Sequence, residues 1–395
     1  MSSSNQVRVA FIEESTYGEV PAAGNFETAR FTSDSLSGTP ETTESQQIRT
    51  DRMSSGQVVT GLTVGGDLNF ELAKEDSVDL LFKSAMYQSA YTTDTPVTVD
   101  VDIEATTKKL TRDSGDWNSD TLVGDMITLT GFSNAENNTQ VMVAAIDSTT
   151  VLSIIGKSDL VTEEGSGTTY AIADKLDIGT TKTSFSMEKA FLDLTTKAIN
   201  YNGMIVSGFN ISAAYGSIIT GAFNFMGNGY ETANVANEFI TDSRTITAAA
   251  TTQSLNGSVD MDFIASSATG SFIPDTFCIQ SVEITVNNNL NVQNCIGRTA
   301  PFDYTEGTCQ IEVSISAYLA DGNWALLEQK LEQTPFQLGF LLKNSDGFYG
   351  FYLPAVQVSF DDPVSAGQNQ DIIMSMSGTA KVGASGESAL TVFKG

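Results

Sequence analysis

The 395-residue chain contains no histidine. Histidine is the usual general base near neutral pH, the commonest metal ligand and the partner of catalytic serine or cysteine, so Ser-His and Cys-His chemistry is excluded. Cysteine is scarce. Cys278, Cys295 and Cys309 are an odd set without C-x-x-C spacing, which excludes a cysteine zinc site. They are expected to be reduced, buried thiols in a protein made in the cytoplasm. Positive charge is also scarce: 20 Lys and Arg stand against 48 Asp and Glu, a net charge of −28. Such a surface repels nucleic acid and anionic lipid. No window approaches the roughly 18 uninterrupted apolar residues of a membrane span. The N-terminal MSSSNQVRV lacks the apolar centre of a signal peptide.

What is present favours strands. Apolar residues make up 41% of the chain, enough for packed cores, charged residues only 17%, and Ser, Thr, Asn and Gly are abundant. Length alone predicts two or three domains. Residues 183–227 are the organising stretch, read as three antiparallel strands. Phe185 and Met187 alternate with Ser184, Ser186 and Glu188; Ile205, Phe209 and Ile211 share one parity, and so do Gly221, Phe223 and Phe225. Ala213–Ser217, with Gly216, is a hairpin turn. The opposite face is small and polar: Ser207, Asn210, Thr220 and Asn224.

In chain order, VRVAFI (7–12) is a strand and Gly38–Gln57 a long polar loop. Loops longer than about 12–15 residues in a compact domain are usually functional or disordered. This one places Ile48, Arg49, Arg52 and Met53 among acids, the pattern either of a solvated loop or of an arm making polar contacts with another subunit. The strand 58–72 follows, then a helix in EDSVDLLFKSAM, capped by Asp76 or Ser77, with Val78, Leu81, Phe82 and Ala85 on one face. Residues 92–178 change texture into short β segments separated by turns, a small barrel or sandwich. Asp100, Asp102 and Glu104 alternate with Val101 and Ile103 there, the pattern of a solvated strand face rather than a calcium loop. Strands resume at IQSVEITV and GTCQIEVSISAYL, a second helix is expected in NWALLEQKLEQ, and PFQLGFLLK, FYGFYLPAVQVSF and DIIMSMSGTAKV close the chain.

The second half echoes the first. Leu72-Ala73 stands against Leu319-Ala320, and Leu80-Leu81 against Leu326-Leu327. Phe185 and Met187 stand against Phe336 and Leu338, Tyr201 against Tyr352, Ile205 against Val356 and Phe209 against Phe360. The two sets of separations differ by about the length of 92–178. The reading is a mainly β chain of two tandem β-sandwich units, each with one flanking helix, plus a small inserted β domain. The first unit is discontinuous (1–91 with 179–227), 92–178 is the insertion, and 228–395 holds a connection and the second unit.

VRVAFIEESTYGEVP, QQIRTDRMSSGQVVTGLTVGGDLNFEL, YNGMIVSGFNIS, GSIITGAFNFMG and GTCQIEVSISAYLADGNWALLEQ resemble the major tail tube proteins of long, non-contractile-tailed (siphovirus-type) bacteriophages. The inserted GDMITLTGFSN and TQVMVAAIDSTTVLSI are similar to inserts in that family. The resemblance implies sheets joined across subunits into an inner barrel, and stacked rings forming a hollow tube for genome DNA. It implies a ring of three duplicated chains with pseudo-sixfold symmetry, a hexamer being the alternative. It also implies the arm on the adjacent ring, the insertion on the outside, a tape measure protein and tail terminator or tip proteins as partners, and a virion tail assembled in the host cytoplasm. Candidates for the lumen or inter-subunit face are Glu71, Ser207, Asn210, Thr220, Asn224 and Glu312. DNA is expected to pass without specific binding, since negative walls disfavour phosphate contacts.

No catalytic residue, metal site, cofactor or membrane contact is expected. A glycosidase-like pair is the only catalysis open without histidine, and Asp260–Asp262 and Asp361–Asp362 read as strand-face and turn residues. A carbohydrate- or receptor-binding β-protein of a tail tip or cell surface is the alternative. Trp117 or the aromatics at 348–352 would then be its platform.

Overall fold

The computed structural model describes residues 2–51, 53–157, 159–194, 197–233, 244–267, 278–320, 324, 334–360, 362–365, 367–384 and 386–395. The chain is mainly β. The described helices are the ten residues Asp76–Ala85, one short turn at Trp117–Asp120 and two 3-10 turns. Of the second expected helix only Trp324 falls among the described residues. No described helix is long and apolar enough to cross a membrane.

Eight strands form one row in which every neighbouring pair is antiparallel. The order is Ser37–Glu44, Gln57–Glu71, Thr220–Gly227, Lys197–Ala214, Ile279–Asn287, Gln310–Tyr318, Ile373–Lys381 and Gly347–Phe360. The last four strands repeat the order and polarity of the first four. The blocks meet where Phe209, Ile211 and Ala213 pair with Val286, Ile284 and Val282. Gly208 sits at this seam, and a Cβ there would stand 2.2 Å from the Val286 carbonyl oxygen, so the close approach of the two strands requires glycine.

Strands 197–214 and 347–360 are long because each also belongs to a second layer. Residues 197–205 pair with Ser184–Phe191, which pairs with Val7–Glu13; residues 347–356 pair with Phe336–Asn344, which pairs with Met261–Ser267. Gly229–Ala233 and Thr391–Lys394 complete the other edges in the same relative places. Gly203, at φ +62°, and a bulge between Val206 and Gly208 turn the first long strand from one layer to the other. The Glu14 carboxylate pins this bend, accepting hydrogen bonds from Ser184 (2.6 Å), Ser186 (2.7 Å) and the Gly203 N–H (2.9 Å).

The bulge corrects the expected parity. Val206, Phe209 and Ile211 face the main core, while Ile205 packs with Tyr87 and Tyr304 on the other side. Equivalent bulges stand between Phe185 and Met187 and between Phe336 and Leu338, and the pairing beyond them moves the echo on the long strands by one residue. Tyr201 stands opposite Met187, and Leu353, not Tyr352, stands opposite Leu338.

One continuous core lies between the layers and under the helix. The apolar stripe Val78, Leu81, Phe82 and Ala85 is buried as the 3.6-residue period predicts. The Phe82 ring joins both halves of the chain. Its centroid lies 5.3 Å from those of Phe209 and Phe223, 5.5 Å from Tyr349 and 6.2 Å from Phe351. The cap differs from expectation: Glu75 precedes the first helical residue and makes no side-chain cap, its carboxylate accepting instead from Ser77 and Arg30.

A separate seven-stranded sheet is built from strands between Val97 and Ile172, around Val101, Ile103, Leu110, Trp117, Ile127, Val141, Leu152 and Tyr170. It docks on the second half of the chain. Met126, Met142, Ile155 and Ala173 close a cluster with Leu341, Phe348, Tyr352 and Phe393, and Asp174–Leu176 pairs with Thr391–Lys394. The cysteines are free thiols, as expected, but the expected burial fails: Cys278 and Cys295 are exposed, and Cys309 is half-buried. Cys278 and Cys295 flank or interrupt strands rather than lying within their inward-facing parity.

Candidate functional site

The face of the eight-strand row turned away from the core is polar. Its side chains line up in rows because residues paired across antiparallel strands share a face. One row runs Glu71, Thr220, Ser212, Glu283, Ser314, Ser377 and Ser359. The next runs Asn69, Ala222, Asn210, Thr285, Glu312, Thr379 and Gln357. A third runs Asp67, Asn224, Gly208, Asn287 and Gln310, and a fourth Ala214, Ser281, Ser316 and Ser375. These rows contain Asp67, Glu71, Glu283 and Glu312 and no lysine or arginine; Lys381 follows Thr379 at the rim. Over the second block the face curves into a concavity of about 650 Å³, lined by Glu283, Thr285, Glu312, Ser314, Gln357 and Ser377 among others.

Five of the six residues singled out in the sequence meet on this face: Glu71, Asn210, Thr220, Asn224 and Glu312. Thr220 and Glu312 are exposed and the others half-buried. Asn224 donates to Asp67 (2.7 Å), Glu71 accepts from Ser254 (2.8 Å) and Glu312 accepts from Gln310 (2.9 Å). Ser207 is the bulge residue, its hydroxyl donating to the Asn224 carbonyl (3.2 Å). Sequence reasoning missed Asp67, Ser212, Glu283, Thr285, Ser314, Ser377 and Ser359. Their signal was the strict alternation with Val282, Ile284 and Val286 and with Ile311, Val313 and Ile315.

The expected long loop is half strand. Ser37–Glu44 pairs with Gln57–Gly65 into a hairpin that leaves the sheet, and only residues 45–56 are its tip. Ile48 is fully exposed, Met53, Val58 and Val59 are exposed, and Arg49 is held by Asp51 at 2.9 Å. That ion pair keeps the Asp51 carboxyl below its ordinary range. Arg52 lies outside the described residues.

Other candidate sites dissolve. Trp117 is fully buried, with the Arg112 guanidinium 4.7 Å from its ring, and Phe348, Tyr349, Phe351 and Tyr352 are buried, so neither aromatic set is a surface platform. Asp260 accepts the Asn256 N–H (2.7 Å) as a turn residue, and Asp361 lies outside the described residues. Among the described residues no group of three or more acids, cysteines or histidines is placed to hold a metal. A cleft of about 1100 Å³ beside Ser2–Asn5 contains Arg8, Arg30 and Lys189, each ion-paired with Glu188, Glu75 and Asp34 respectively, so its charge is already satisfied.

The described face is a repeated, cation-poor polar β row. The sequence profile that matches this chain, over residues 4–380, is that of the phage tail tube protein. The chain belongs to the phage tail tube protein family. Among curated proteins none matches it. Tail tube proteins are structural components of the virion tail that assemble into a tube, and they are not an enzyme family.

Proposed function

We propose that the chain builds the tube of a long, non-contractile tail as stacked rings through which genome DNA is delivered, and that the polar rows line the conduit. The reading divides the chain into two tube units, 1–91 with 179–227 and 228–395, and an insertion at 92–178. The repeated strand order supports that division. The observation that carries the reading is the seam between blocks. Strand 208–214 accepts 281–287 at its edge, and the equivalent of 281–287 in the first block is the outer strand at 33–39, which pairs with 57–71 on one side only among the described strands. An edge that repeats head-to-tail either closes into a ring or grows without limit, and closure removes the exposed edges. Two units per chain make three chains the closing number, with a ring of six chains as the alternative.

The layers then have a fixed sense. The polar rows face inward, the core and second layer follow, and the insertion lies farthest out, on the Leu341–Phe348–Tyr352–Phe393 cluster. Without lysine or arginine in the rows, phosphate finds no counter-charge and the polymer slides. The arm at 45–56 meets the adjacent ring through Ile48, Arg49 and Met53, with Arg52 of the same sequence stretch as a further candidate. A tape measure protein in the conduit, terminator or tip proteins at its ends, and assembly in the host cytoplasm complete the scheme. Negative-stain micrographs of the purified chain test it. Hollow tubes whose averaged cross-section has six inner densities and three outer protrusions are expected. Six protrusions would overturn the three-chain ring, and monomers under all assembly conditions would overturn the tube.

A further inference from the structure

The two most exposed large apolar residues among the described residues are Ile48 and Ile296, at 102% and 107%; the next is Tyr215 at 80%. They are not scattered. The sheet register makes Gly38 and Val286 equivalent, because each lies opposite equivalent residues, Val64 and Ile311, of the next strand. Ile48 and Ile296 stand at that same separation in sequence. Each is therefore the tip of the connection leaving equivalent strands, 45–56 in the first block and 288–309 in the second. Since Ile279–Asn287 has the polarity of Ser37–Glu44, both tips leave the row at the same end of its strands.

The second connection is a built element. Asn291–Gln293 pairs with Asp303–Thr305, the buried Tyr304 hydroxyl donates to the Gly227 carbonyl (2.8 Å), and the Leu62 N–H donates to the Thr299 carbonyl (2.7 Å). The connection is thus anchored on the first block at Tyr304 and, on its returning limb, at Thr299, while Cys295, Ile296 and Arg298 project, Arg298 lying 5.2 Å from the Phe302 ring.

From these positions we infer that residues 295–302 form a second arm, whose apolar tip docks on another copy of this chain in the next ring of the tube. This rests on the tube reading above. Lateral closure occupies strand edges, so strand ends are what remains for axial contacts, and in a stack of identical rings the neighbour at that end is the same chain. Three chains then present six isoleucine knobs in pseudo-sixfold positions. A fully exposed isoleucine is costly in water and favourable once covered.

The test uses the full chain and its own Cys295 as reporter. Ile296→Asp, and the milder Ile296→Ser as a control for folding, are assembled beside Ile48→Asp, and rings and tubes are separated by sedimentation and imaged. The expected result is rings of normal size with tube yield reduced roughly tenfold for both aspartate variants. In the wild type, maleimide alkylation of Cys295, mapped by peptide mass, is expected to be roughly tenfold slower in tubes than in rings. Normal tubes from Ile296→Asp and Ile296→Ser, with Cys295 alkylated equally fast in both states, would overturn the second arm while leaving the tube reading intact. Failure of the wild type to make either rings or tubes would overturn both.

Discussion

At the scale of single residues, cation placement separates structural from functional charge. Arg112 is buried in the inserted sheet, where its guanidinium donates to Asp120 (2.7 Å) and Tyr170 (3.1 Å) and stacks on Trp117. The Arg112 hydrogen bond holds the Asp120 carboxyl below its ordinary range. A carboxylate lowered in this way stabilises the fold above its unfolded pKa, and that contribution is lost as pH falls through the lower, folded value. Arg112→Ala is expected to destabilise the insertion by roughly 2–4 kcal/mol, as deletion of a stacked, charge-assisted hydrogen-bond donor does. The difference from the wild type is expected to shrink below about pH 4, where Asp120 protonates in the unfolded chain. Urea unfolding followed by Trp117 fluorescence measures both effects; an unchanged midpoint at neutral pH would refute the assignment. Cys309 shows the opposite influence, burial pushing its thiol up to about 11, which leaves the exposed Cys295 as the more reactive reporter.

At the scale of elements, the helix Asp76–Ala85 ties the blocks together although it belongs to the first. Phe82 meets aromatic rings from both, and Asp79 accepts from Tyr349 (2.7 Å), Lys74 (2.6 Å) and Lys394 (2.9 Å). Phe82→Ala leaves a cavity where four rings converge and is expected to cost about 3–5 kcal/mol. Both halves would loosen together, so hydrogen exchange is expected to accelerate in 208–214 and 347–356 alike. Acceleration confined to the first block would show that the halves are energetically separate. The insertion makes a comparable bridge, since it leaves the chain between helix and strand of one block and buries its methionines, Met126 and Met142, against the other.

For the whole molecule, the proposed conduit rests on what the polar rows lack, lysine and arginine. Introducing a cation tests this without touching the core: Asn224→Lys and Glu312→Lys lie on the face opposite Phe223, Phe225, Ile311 and Val313. Monomer stability is expected to change by less than about 1 kcal/mol for the exposed Glu312 and by about 1–2 kcal/mol for the half-buried Asn224, which gives up its hydrogen bond to Asp67. Tubes made from either variant are expected to retain short duplex DNA at low salt and release it as salt rises, by counterion release. Normal DNA passage through such tubes at low salt would remove these residues from the conduit wall.

Local periods were readable from the sequence: the helix stripe from Val78 to Ala85, the β character of nearly every described segment, and the small polar face around Asn210 and Asn224. These follow from side-chain geometry over a few residues, which the amino-acid order alone determines. Of the echo between halves, the strand order repeats in the sheet, while the residue matches on the long strands are displaced by one. Only the tertiary structure decided where alternation is reset. The bulge at Ser207 reverses which of Ile205 and Val206 meets the core, and its cause is the bend between layers rather than anything in the local pattern. It alone decided that the polar rows of both blocks run on as one face across the seam at Gly208, that the insertion docks on the opposite block, and that the connection carrying Ile296 is a partner to the one carrying Ile48. Each of these depends on strand pairing between residues far apart in the chain, and such pairing is set by the closure of the whole sheet.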